Sequence, residues 1–154
     1  VSRDISNTGS GNLMGIQVQI SNTTPKDIKK ADQLITRNAI RHVNRVANHF
    51  RNLITLGMRN TPKTGREYKR GKKTHIASSA GNPPAIDSTR LVSSIAVSPA
   101  TAFGKIPTAK VKTNVEYAER LELIMDRAFM GRDSKAYNLT RIFANKIAKT
   151  IMVD

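Results

Sequence analysis

Eight apolar side chains, Ile28, Ala31, Ile35, Ala39, Val43, Val46, Phe50 and Leu53, recur at steps of three and four along one unbroken stretch of the chain. A strand, whose side chains alternate with a period of two, cannot put such a set on one face. A helix of about 3.6 residues per turn aligns them in a single stripe. The flanks mark its ends. Thr24 is placed to act as N-cap, Pro25 fits the first helical position, and Asp27 stands three residues after the cap, beside the free backbone N–H groups. Pro62 stops the helix. The pattern therefore predicts one helix reaching Gly57 or Asn60, on the order of 50 Å long. Arg37, Arg41, Arg45 and Arg51 fall largely off the stripe.

The remaining segments are shorter. Residues 1–13 are polar and rich in Gly, Ser and Asn, and read as a flexible tail. Ile16, Val18 and Ile20 alternate with Gln17 and Gln19 as in a half-buried strand. Residues 61–89 lack periodicity and large apolar side chains, and read as one extended basic, Pro-rich loop. Strand alternation resumes at Leu91, Ser93, Ile95 and Val97, and again at Ala109, Val111, Thr113 and Val115, with the Pro- and Gly-containing stretch 98–107 as a hairpin connection. A helix follows, with Tyr117, Leu121, Ile124 and Met125 on one side and Glu116, Glu119, Glu122 and Asp126 on the other. A last helix, capped by Asp133 or Ser134, carries Leu139, Phe143, Ile147 and Ile151. The expected fold is α+β: a small, mainly antiparallel sheet packed against a long N-terminal helix and two shorter C-terminal helices, with residues 14–154 as one domain.

Charge narrows the choice of partners. With 26 Lys and Arg against 11 Asp and Glu, the 154-residue chain carries a formal +15. Between Lys26 and Lys73 there are fourteen basic residues against Asp27, Asp32 and Glu67, so eleven of the fifteen net charges lie there. Such a surface attracts nucleic acid, anionic membrane or an acidic protein. No apolar run approaches a membrane span and no signal-peptide pattern opens the sequence, so no membrane partner is expected. The absence of cysteine excludes disulfides and thiolate chemistry.

The stretch TGREYKRGKKTH, Thr64 to His75, concentrates the charge. A phosphate-binding loop needs four residues between its glycines and then Lys followed by Ser or Thr. Here five separate Gly65 from Gly71, and Lys72 precedes Lys73. Arg66, Lys69, Arg70, Lys72 and Lys73 around Tyr68 suit phosphate contacts with one stacking ring, or simply a solvated loop. His42 and His49 share a helix face without a carboxylate at ligand spacing, and His75 stands alone in the loop. The row of Glu116, Glu119, Glu122 and Asp126, flanked by Arg120 and Arg127, reads as a charged interface rather than a metal site. Ser78, Ser79, Ser93 and Ser94 lack a nucleophile motif. No enzyme, cofactor or small-molecule substrate is expected.

Beyond the basic cluster the chain reads HIASSAGNPPAIDSTRLVSSIAV. Thr61, Pro62, Thr64, Gly65, Arg66, Tyr68, Ala77, Ser78, Gly81, Pro83, Pro84, Ala85, Asp87, Leu91, Ser94 and Ile95, taken in order, resemble the central signature of the tail-completion and neck proteins of tailed bacteriophages. Tyr117, Ala118, Leu121 and Glu122 resemble that family's Tyr-Ala…Leu-Glu segment, and Arg127 to Met130 its Arg-Pro-Phe. The resemblance runs from about Lys26 onward. The chain departs from the pattern in lacking the glycine after Leu-Glu, in Ala128 for proline, and in Ser88 and Thr89 for the turn glycine.

The resemblance implies a structural virion protein of the head–tail neck, present in the host cytoplasm before assembly. It would form a ring, commonly six-fold, with connector and tail-tube proteins as neighbours and DNA in its lumen. A ring closes through a head-to-tail interface between two different patches of each subunit. The candidates are the basic loop, Arg66, Tyr68, Lys69, Arg70, Lys72 and Lys73 with Pro83 and Pro84 stiffening its far end, and the acidic face Glu116, Glu119, Glu122 and Asp126. The alternative is sequence-nonspecific nucleic-acid binding by the same cations.

Overall fold

The computed structural model describes residues 24–101 and 106–151. The expected tail at 1–13 and strand at 16–20 lie outside them. The fold is α+β, with eight elements among the described residues: α1 (Pro25–Asn60), β1 (Glu67–Arg70), β2 (Lys73–Ile76), α2 (Thr89–Ser94), β3 (Ala96–Ser98), β4 (Lys110–Lys112), α3 (Tyr117–Leu123) and α4 (Lys135–Ile151).

The 36 residues of α1 form as the stripe requires. At its start the Asp27 carboxylate reaches back to accept from the Thr24 backbone N–H at 3.2 Å and from the Thr24 hydroxyl at 2.5 Å. Asp27 N–H in turn donates to the Thr24 carbonyl. At its end the Thr61 hydroxyl donates to the Gly57 carbonyl, and the chain turns extended before Pro62. The two halves of α1 differ in burial. Ala47, Ile54 and Met58 are buried, whereas Ile28, Leu34 and Ile35 stand exposed.

The core is built where the second half of α1 meets everything else. Ile54 and Met58 pack with Leu91, Ile95, Val115, Ala118, Phe129 and Ala136, and Phe50, Leu53, Val111 and Leu121 close around them. Helix α4 runs antiparallel to α1, so Leu53 faces the start of α4 and Val43 its end. His49 stacks on Phe143 at 4.0 Å, and the Arg45 guanidinium lies 5.7 Å from the same ring. Ser134 caps α4, its hydroxyl accepting from Tyr137 N–H and its carbonyl from Asn138 N–H. The α4 side chains that turn inward are Ala136, Thr140, Phe143, Ala144 and Ile147, while Leu139 is exposed.

Four sequence expectations are corrected. The strands form two separate two-stranded antiparallel ribbons, β1–β2 and β3–β4, rather than one sheet. The expected strand over 91–97 is helix α2 followed by the three residues of β3. Leu91 and Ile95 alternate as in a strand but are also four apart, and both are buried from a helical turn. The Ser93 and Ser94 hydroxyls bond back to the carbonyls of Thr89 and Leu91.

The loop 61–89 contains the hairpin β1–β2. Finally, α3 ends at Leu123, so the run to Asp126 does not stay helical. Ala118 is its buried residue, with Leu121 half-buried, and Ile124 and Met125 are exposed. Beyond the end, Asp126 takes φ +48° and its carbonyl accepts from Gly81 N–H.

A basic hairpin and an acidic helix edge

The hairpin turns through Gly71 and Lys72, with Gly71 at φ +62°. A two-residue hairpin turn with a positive φ at its first central position favours glycine there, and this places Lys72 at the tip. Register pairs Tyr68 with His75 and Arg70 with Lys73, so these four project from one face of the ribbon. At the base, Gly65 N–H donates to the Ala77 carbonyl and Ala77 N–H to the Arg66 carbonyl. Gly65 lies so close to the Ser78 carbonyl that a Cβ there would collide with it.

Asp87 organises the inward face. One of its oxygens accepts from Arg70 at 2.6 Å, and the other lies 2.9 Å from His75 Nδ1. His75 is buried, and its ring lies edge-on to Tyr68 at 4.9 Å. Burial, and secondarily the Asp87 charge, hold the Tyr68 hydroxyl above the usual tyrosine pKa. His75 therefore does not stand alone. It is the buried member of a Tyr68–His75–Asp87–Arg70 cluster that joins the hairpin to the segment leading into α2.

The proposed basic-loop residues divide in the fold. Arg66, Tyr68, Lys69 and Arg70 line a cleft of 630 Å³ between the hairpin, α2 and α3, and Pro84 lines it too. Lys72 and Lys73 sit exposed at the tip. Pro83 lies elsewhere, packed near Gly57 of α1 in the groove between α1 and α4.

The acidic residues divide as well. Glu116 and Glu119 are exposed, on the edge of α3 opposite Tyr117 and Leu121. Glu122 turns inward. Its carboxylate accepts from the backbone N–H groups of Phe129, Met130 and Gly131, pinning the turn before α4. A Cβ at Gly131 would strike that carboxylate, so glycine leaves room for it. Asp126 lies beyond the helix on a left-handed turn. The outward acidic edge is thus Glu116 and Glu119.

Among the described residues the ion pair is Arg70–Asp87, with His75 Nδ1 beside the same carboxylate. Arg66, Lys69, Lys72 and Lys73 on one side and Glu116 and Glu119 on the other have no ion-pair partner among the described residues. No group of three or more His, Asp or Glu placed to hold a metal occurs among the described residues. Nor is any helix there long and apolar enough to cross a membrane.

Asp87 is the carboxylate whose role sequence reasoning missed, and Glu122, expected on the outward acidic face, instead binds backbone N–H groups. Asp87 lies 12 and 17 positions from its partners, beyond any local pattern. The Gly71–Lys72 turn was a readable hairpin signal, set between basic rather than apolar strands. Compared with known proteins, the chain matches no family model, no curated protein and no solved structure.

Proposed function

We propose that this chain is a structural subunit of the neck of a tailed bacteriophage, a ring component that joins head to tail with DNA passing through its lumen. The observation that carries the reading is the placement of two unneutralised patches on opposite sides of α3. Tyr117 and Leu121 face the cleft under the basic hairpin, whereas Glu116 and Glu119 face away from it. The patches cannot meet within one molecule. Between successive molecules they give the head-to-tail contact from which rings are made. The resemblance of the ordered motifs from Thr61 to Ile95 and from Tyr117 to Met130 to that family supports the reading.

Electron microscopy of a phage lysate lacking this gene tests the role. Filled heads and separate tails that join when the purified protein is added are expected. Intact infectious particles would overturn the reading.

The exposed cations at the hairpin tip favour a second reading, sequence-nonspecific nucleic-acid binding. Its signature is affinity for duplex DNA that falls linearly with salt on logarithmic axes as counterions are displaced. A neck protein needs no such tight binding, because a conduit that gripped many phosphates would resist passage of the genome.

A further inference from the structure

The cleft under the hairpin holds two polar groups that the fold leaves unused. Ser78 Oγ and Arg127 Nε are buried without a hydrogen-bond partner, and both residues line this one cleft. Buried donors without partners are rare in folded chains, and each calls for an acceptor. Arg66 adds positive charge at the same wall, while the single carboxylate there, Asp87, is taken by Arg70 and lies beside His75. Met58 and Leu91 supply an apolar floor. Such a site suits a carboxylate on an aliphatic stem, and its 630 Å³ admits a segment of chain rather than an ion alone.

We infer that this cleft is the receptor for the Glu116/Glu119 edge of α3 of a second copy of the chain, with Arg127 and Ser78 as the donors that meet the carboxylate. The inference rests on the ring reading above and deepens it to a contact. Charge complementarity selects the occupant, since Glu116 and Glu119 are exposed and have no cation partner among the described residues. Geometry makes it a second copy. Helix α3 itself walls the cleft with Tyr117 and Leu121, so its far edge cannot enter its own cleft.

Two variants of the full chain test this. Arg127→Met removes the receptor's donor and keeps the edge. Glu116→Gln with Glu119→Gln removes the edge and keeps the receptor. Molecular mass by light scattering is expected to show closed assemblies for the wild type and monomers for each variant alone. An equimolar mixture of the two is expected to give heterodimers and nothing larger, because only one productive contact remains. Circular dichroism and melting verify the fold, and if Arg127→Met is unfolded, the exposed pair Arg66→Gln and Lys69→Gln replaces it.

Wild-type assembly by Arg127→Met, a mixture that stays monomeric, or a monomeric wild type would each overturn the contact. Binding of a short DNA duplex that Arg127→Met weakens while assembly is unchanged would overturn it in favour of nucleic acid. The neck role is decided separately, by joining of heads and tails in the lysate, and survives failure of this contact.

Discussion

The two halves of α1 carry the same apolar rhythm and meet opposite fates. From Pro25 to Ile35 every residue is exposed, with Ile35 at 68% and Ile28 at 59%, while Ile54 and Met58 further along are at 1%. The difference lies in what the other described elements supply. Helix α4 and the β3–β4 ribbon reach only the second half, where Val43, Val46 and Phe50 face Val111 and Ile147. Periodicity therefore specifies which face of a helix is apolar. It does not specify what covers that face, and a stripe that no other described element covers, joined to a covered one, is a surface at which assembly can act.

That comparison breaks most visibly at its buried end. Ile54→Ala is expected to destabilise the fold by about 2–5 kcal/mol through lost burial and a residual cavity. Ile35→Ala is expected to leave stability within about 0.5 kcal/mol, as at other exposed sites. Urea denaturation of the two variants checks both, and equal losses would show that the first half is covered after all.

The acidic residues of α3 give a second, smaller contrast. Glu122→Gln weakens the acceptor for three backbone N–H groups and is expected to cost about 1.5–3 kcal/mol in the same assay. Glu119→Gln is expected to cost nothing measurable, since it has no partner among the described residues. A reversal of that order would mean that the inward turn of Glu122 contributes little.

At the far end of α1, Thr24→Ala removes part of the reciprocal cap, an effect of about 0.5–1 kcal/mol on helix formation. Because the first turns are uncovered, the loss is expected as faster amide exchange over residues 25–36 and not as a lower global stability.

The smallest effect concerns the hairpin cluster. Tyr68 has a raised folded-state pKa, so stability linked to its proton is present below the ordinary tyrosine value and declines as pH rises past it. Phenolate absorbance is expected to place Tyr68 later than a free tyrosine, and Asp87→Asn to bring it part of the way back. Burial, the larger cause, remains.

Legibility followed the range of the interactions. The ends of α1 and the Ser134 cap were readable because capping chemistry acts across three or four residues. Helix α2 was not, since six residues are too few for the helical and strand periods to separate when Leu91 and Ile95 satisfy both. The hairpin escaped because it is held by Asp87 and by the bonds of Ala77 to Gly65 and Arg66 rather than by an alternating apolar face. Glu122 was placed on an acidic face by its spacing, and only the path of the chain after Leu123 shows why it turns in. Of the candidate site, the two charged patches were visible from composition and spacing. The cleft, with Ser78 and Arg127 in its walls, depends on contacts that no local window contains.

The uncovered first turns of α1 also make length a free variable. Residues 25–35 span about 16 Å of helix that no other described element secures. Inserting or deleting seven residues there would change the reach of the rod by about 10 Å while returning the stripe to nearly the same heading. The core around Ile54 would not sense the change. A chain so built can be refitted to a wider or narrower neighbour by altering the span of one helix, with no redesign of the domain that holds it.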